Sequence, residues 1–174
     1  MFKNVLVATD GSDHANKAVD VAVDMAAKHG AALTVLSVIE SGALTENAKR
    51  LAREKGIDMS PVPGIPDFAA ISPNVEAILP DVGMILANGR IKAELAEAIM
   101  EEARDRASVP RGANIRGRTK SGDAAEEILN VAEAEGADLI VMGCRGLGAL
   151  KSLMVGSVSQ KVSHLATCTC VTVK

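Results

Sequence analysis

Short, almost wholly apolar runs punctuated by turn residues constrain this chain more than any other feature. Val5-Leu-Val-Ala8 ends in Thr9-Asp10-Gly11-Ser12, Leu33 to Ile39 forms a second run, and Asp138-Leu-Ile-Val-Met142 leads into a glycine-rich stretch. Runs of this length read as strands buried on both faces. Between the first two, Ala15, Ala18, Val19, Ala22, Val23 and Ala26 recur at helical spacing, and Gly30 closes the segment. Strand, helix and strand in this order make a βαβ unit, which crosses over right-handed.

The middle is less regular. Residues 43–55 read as a polar helix with alternating charges, and 56–82 carry Pro61, Pro63, Pro66, Pro73 and Pro80, too many for a regular element. A helix resumes over about 91–107, with Leu95, Ala98, Ile99 and Ala103 on one face. Residues 113–119 read as a third strand, polar enough to sit at a sheet edge. The helix over 123–135 turns Ala125, Ile128, Leu129 and Ala132 inward. After the fourth strand and the glycine stretch, a last helix starts near Gly156 with Val158, Val162 and Leu165 inward, and Cys168 to Val173 form a fifth strand. This alternation places the chain in the doubly wound α/β class. Segment 41–87 reads as an insertion or irregular excursion within a single domain spanning 1–174, because it lacks the apolar periodicity of a second core.

With no Trp, no Tyr and only Phe2 and Phe68, the core must be built from Ala, Val, Ile, Leu and Met. The same shortage removes the stacking platforms of single-stranded nucleic-acid binders, and a net charge of −3 supplies no field for nucleic acid or an anionic membrane. No apolar stretch approaches the ~20 residues of a membrane helix, and the run after Met1 is too short for a signal peptide. Cys144, Cys168 and Cys170 are an odd number in a chain large enough to fold without staples, which reads as reduced thiols in the cytoplasm. Cys168 and Cys170 share one strand face, but no second cysteine pair completes a metal site.

The glycine stretch, GCRGLGALKSLMVGS over 143–157, leaves the carboxyl end of a buried strand and delivers the chain to a helix N-terminus. Open α/β sheets bind ligands there, and backbone amides and the helix dipole favour anions. Gly143 and Gly146 let amides close around a phosphate, Gly156 admits another oxygen, and Ser157 adds a hydroxyl. Arg145 and Lys151 supply cations. The ordinary reading is a mobile loop whose glycines do cap duty. The spacing matches neither G-x-x-x-x-G-K-[ST] nor G-x-G-x-x-G, so a P-loop hydrolase and a dinucleotide dehydrogenase are not supported.

Gly143-x2-Gly146-x9-Gly156-Ser157 resembles the signature of the ATP-binding branch of the universal stress protein family. NVLVATDGSD, LTVLSVIE and GSVSQKVSHLATC resemble that family's first strand and turn, second strand, and closing helix and strand; residues 41–87 match nothing placed by this resemblance. The resemblance implies a Rossmann-like open parallel five-stranded sheet of order 3-2-1-4-5, with helices on both faces. It implies that Asp10 lies near the ribose or adenine and helps place Mg²⁺. By the same resemblance, Val38 contacts adenine, Met142 packs on the nucleoside, and Gly143, Arg145, Gly146, Gly156, Ser157 and Val158 hold ribose and phosphates. The family often carries a proline in its last strand, where this chain has Cys168-Thr169-Cys170-Val171.

Three functions follow from this resemblance. The first is a regulatory stress-response homodimer that binds ATP or AMP and pairs through its C-terminal strand. The second is a slow ATPase or phosphotransfer enzyme, which needs a base near the terminal phosphate. The third is a nucleotide-free interaction module, against which the intact loop argues. Asp10 is the only carboxylate the sequence places near the loop, so binding is favoured over turnover. His164 reads as structural or exposed, Cys144 as an inert small residue, and Arg111, Arg116, Arg118 and Lys120 as a solvated edge.

Overall fold

Burial of alternate strand residues on two opposite faces organises the chain. In a computed structural model describing residues 1–60, 82–108, 115–148 and 156–174, five strands form one parallel sheet. They are β1 (Asn4–Ala8), β2 (Ala32–Ile39), β3 (Ile115–Ser121), β4 (Leu139–Gly143) and β5 (Thr169–Val173), in the order β3-β2-β1-β4-β5. Val5 of β1 sits level with Leu33 of β2 and Leu139 of β4. The expected fold class and strand order hold.

Helices α1 (Asp13–His29) and α3 (Val82–Ser108) cover one face, and α4 (Ala124–Ala134) and α5 (Ser157–Leu165) cover the other. Strand alternation decides which side chain goes where. Val5, Val7, Leu33, Val35, Leu139 and Val141 meet Ala18, Val19 and Ala22 of α1 and Met100 and Ala103 of α3. Leu6, Leu36, Ile140 and Met142 meet Ala125, Ile128 and Val131 of α4 and Val162 of α5. The alanines on α1 let its backbone approach the sheet closely. Ser12 caps its start by accepting from the Ala15 amide, and Gly30 ends it at φ 62°, a left-handed conformation that favours glycine.

Helix α2 (Glu46–Glu54) joins α3 in a small separate cluster of Leu44, Ala52, Ala87, Ile91, Leu95 and Ile99. Two expectations need correction. α3 begins at Val82 rather than near residue 91, inside the stretch read as irregular. Leu165 is 58% exposed rather than inward, because the helix ends there and Ala166 turns extended. The proline-rich stretch 61–81, Arg111 and Lys151 lie outside the described residues. Arg116 and Arg118 on the β3 edge both pair with Glu135, and His164 is exposed.

The layers are tied by charge as well as by apolar contact. Glu102 of α3 receives Lys55 Nζ at 2.6 Å, Asn16 Nδ2 of α1 at 3.2 Å and Arg106 Nη2 at 3.2 Å, while Arg106 also pairs with Asp20. The hydrogen bond from Lys55 holds the Glu102 carboxyl below the usual carboxylate range. Stability linked to this group is complete above the ordinary Glu value of about 4.3 and is lost as pH falls through the depressed folded value. Urea titrations should therefore find Glu102→Gln less stable than wild type at pH 7, with the gap narrowing below about pH 4.

Candidate functional site at the sheet switch point

The strand order reverses between β1 and β4, so the crossovers leaving them run to opposite faces and open a crevice at their carboxyl ends. A cavity of about 310 Å³ lies there. All nine positions predicted from sequence line it: Asp10, Val38, Met142, Gly143, Arg145, Gly146, Gly156, Ser157 and Val158. Ala8, Thr9, Leu36, Glu40, Ala124, Ile128, Gly148 and Ser159 also line it and were not anticipated. Leu36, Val38, Ile128 and Met142 make an apolar wall, because alternate residues of β2 and β4 turn towards α4. Glu40 is a second carboxylate lining the cavity with Asp10, which corrects the expectation of one. Its position after the last strand residue carried no periodic signal.

The turn after β1 is built to hold the glycine loop. Gly11 adopts φ 77°, a left-handed conformation that favours glycine, with Asp10 and Ser12 on either side. Asp10 Oδ1 accepts from the Ser12 amide at 3.1 Å, and Oδ2 accepts from the Leu147 amide at 2.6 Å. A Cβ at position 146 would collide with Asp10 Oδ2, so any side chain there would push the Asp10 carboxylate from its place. Asp10 thus acts first as a clamp between two loops. Among the described residues no group of three or more His, Cys, Asp or Glu side chains could hold a metal ion.

Gly143 serves the fold as well as the cavity. A Cβ there would lie 2.9 Å from the backbone of His14 and Ala15, so the first turn of α1 packs against the end of β4 only over a glycine. The buried Cys144 closes the loop on itself. Its amide donates to the Val173 carbonyl at 2.7 Å, and its own carbonyl accepts from the Gly156 amide at 2.8 Å and from Ser159 Oγ at 3.0 Å. The Gly156 amide is therefore spent within the protein rather than offered to a ligand.

Other donors are left open. Helices α1, α2 and α4 each have a side-chain cap, from Ser12, Thr45 and Asp123. Helix α5 has Gly156 as its N-cap, which supplies no side-chain cap, leaving the first-turn amides of Ser157 and Val158 without an intrahelical acceptor. The Arg145 Nε is buried without a hydrogen-bond partner among the described residues. Arg145 and the uncapped helix N-terminus at Ser157 and Val158 line one cavity, which suits an anion with an apolar body.

A parallel α/β sheet with helices on both faces and a crevice at its switch point is the doubly wound, Rossmann-like class of architecture, which takes ligands at that crevice. The universal stress protein family model matches residues 1–55 and 40–174. The chain is 35% identical to universal stress protein YxiE of Bacillus subtilis and 38% identical to a universal stress protein of Thermus aquaticus, each over 97% of this chain and 96% of the relative. This chain belongs to the universal stress protein family. Among solved structures, UspA from Lactobacillus plantarum superposes with TM-score 0.69 at 22% identity, covering 99% of this chain and 97% of that one. A universal stress protein in complex with cAMP gives 0.62 at 23%, covering 99% and 97%. One from Archaeoglobus fulgidus in complex with dAMP gives 0.52 at 17%, covering 100% and 98%.

The glycines separate by neighbourhood. Gly143→Ala should cost about 1–3 kcal/mol through the clash with α1, whereas Gly148→Ala, with no atom of the described residues within 4 Å of its added methyl, should stay within about 0.5 kcal/mol of wild type in chemical denaturation.

Proposed function

We propose that this protein is an adenine-nucleotide-binding regulatory homodimer, taking ATP or AMP in the switch-point cavity. The observation that carries this reading is that the uncapped α5 N-terminus and Arg145 line one cavity whose other wall is apolar. Adenine would lie against Leu36, Val38, Ile128 and Met142, with the ribose beside Asp10 and Gly143. Phosphates would meet the amides of Ser157 and Val158, the Arg145 guanidinium and the loop at Gly146 and Gly148. Relatives of this fold solved with cAMP and with dAMP are in keeping with an adenine ligand. Magnesium would arrive with the phosphates, and Asp10 would orient rather than encage it.

The reading is binding rather than turnover. Hydrolysis needs a base aimed at water; of the two carboxylates lining the cavity, Asp10 is held by two backbone amides and Glu40 is exposed. No helix among the described residues is long and apolar enough to cross a membrane. The three free cysteines suit a reducing cytoplasm, and burial pushes the Cys168 and Cys170 thiols up, away from the reactive thiolate.

The sheet's two edges support a dimer through β5. The β3 edge carries Arg116, Arg118 and Lys120, charges that discourage edge pairing, whereas β5 reads TCVTV without charge or proline. The Val173 carbonyl faces β4, where it accepts from Cys144. Successive residues present their N–H and C=O to opposite sides, so Cys170 and Thr172 address the open edge.

Purified protein should carry a 260 nm band identifiable by mass as an adenine nucleotide, readily seen because the chain has no Trp or Tyr. Arg145→Gln should weaken ATP binding by about tenfold or more in calorimetry, the size of a lost charge-assisted hydrogen bond. Failure of the wild type to bind any adenine nucleotide would sink the reading. Thr172→Pro, which removes an outward amide and spares the β4 ladder, should convert the dimer to monomer in light scattering.

A further inference from the structure

The excursion between β2 and α3 reaches the glycine loop at the Leu147 carbonyl. Asn47, in the first turn of α2, donates from Nδ2 to the Leu147 carbonyl at 2.8 Å. Thr45, the α2 cap, donates from Oγ1 to the same carbonyl at 3.4 Å while accepting from the Ala48 amide at 3.2 Å. These bonds cross about a hundred residues of sequence. The Leu147 amide is held from another direction, by Asp10 Oδ2.

The Leu147 carbonyl belongs to the same planar peptide unit as the Gly148 N–H. In a trans peptide these two groups point in opposite directions. Holding the carbonyl at the α2 N-terminus therefore turns the Gly148 N–H away from α2. Thr45 lines the neighbouring cavity of about 550 Å³, whereas Gly148 borders both cavities. No acceptor among the described residues takes the Gly148 amide. With glycine on both sides of Leu147, this unit has little steric resistance to flipping, so an outside restraint is needed to fix it.

We infer that Asn47, assisted by Thr45, is a positioning residue that aims the Gly148 amide into the phosphate end of the nucleotide cavity. The inference rests on the nucleotide reading above and gives α2 a task in it. The Asn47 side chain touches no ligand in this scheme; it acts through the Leu147–Gly148 peptide. Its effect should appear only for ligands that carry phosphate, because the adenosine wall of Leu36, Val38, Ile128 and Met142 lies on other elements.

Asn47→Asp is the sharp test. The substitution is isosteric and replaces the donor with an acceptor facing a carbonyl, yet a carboxylate in the first turn of α2 favours the helix itself. Calorimetry with ATP and with adenosine on the full chain should show ATP binding weakened by about tenfold, adenosine binding changed by less than about twofold, and an unchanged melting temperature. Asn47→Ala carries the same expectation and covers misfolding of the first variant. Equal loss for both ligands, or no loss for ATP, would overturn the inference while leaving the site reading intact. Wild-type protein that binds neither ligand would overturn the site reading and this inference together.

Discussion

Parallel pairing of β1 with β2 on one side and β4 on the other is the constraint from which the rest of the structure follows. A central strand in this position is buried on both faces, so it must be apolar throughout, and Val5, Leu6 and Val7 are all but inaccessible. Its chain neighbours must then leave by opposite faces. The carboxyl ends of β1 and β4 become the one place along the sheet where no crossover helix covers the strand tips. The cavity is a consequence of topology before it is a property of any side chain.

Small residues then decide how closely the elements approach. Gly143 admits the first turn of α1, Gly146 admits the Asp10 carboxylate, and the alanines of α1 bring that helix onto the sheet. Each contact uses atoms that a phosphate loop would also need, so fold and site share their glycines. The loop is not a flexible flap in its described parts. Ser12 reaches the Arg145 carbonyl, Asp10 the Leu147 amide, Asn47 the Leu147 carbonyl, and Cys144 is tied to Gly156. A ligand would meet a surface already ordered, which lowers the entropy cost of binding.

Much of this was legible in the residues because amphipathic periodicity reports burial directly. The six inward positions of α1 are all buried, as spacing required, and the apolar runs became the central strands. Where local signals were weak, reading failed. The start of α3 contains Gly83 and Asn88-Gly89 shortly after Pro80, residues that argue against a helix, and packing of Ala87 and Ile91 on α2 overrides them. Leu165 carried an inward spacing but falls at the helix terminus, where the pattern has nothing left to pack against.

From residue order alone came the strand–helix alternation, the resemblance carried by the glycine spacing and, with it, the nine positions that line the cavity. Those are properties of local pattern, set by which side chains must leave water and which positions tolerate no Cβ. Only the folded chain decided that Gly143 yields to α1, that Gly156 spends its amide on Cys144, that Glu40 lines the cavity with Asp10, and that Asn47 holds a carbonyl about a hundred residues away. Contacts between distant segments depend on where the sheet brings them, and no periodicity within either segment records the partner.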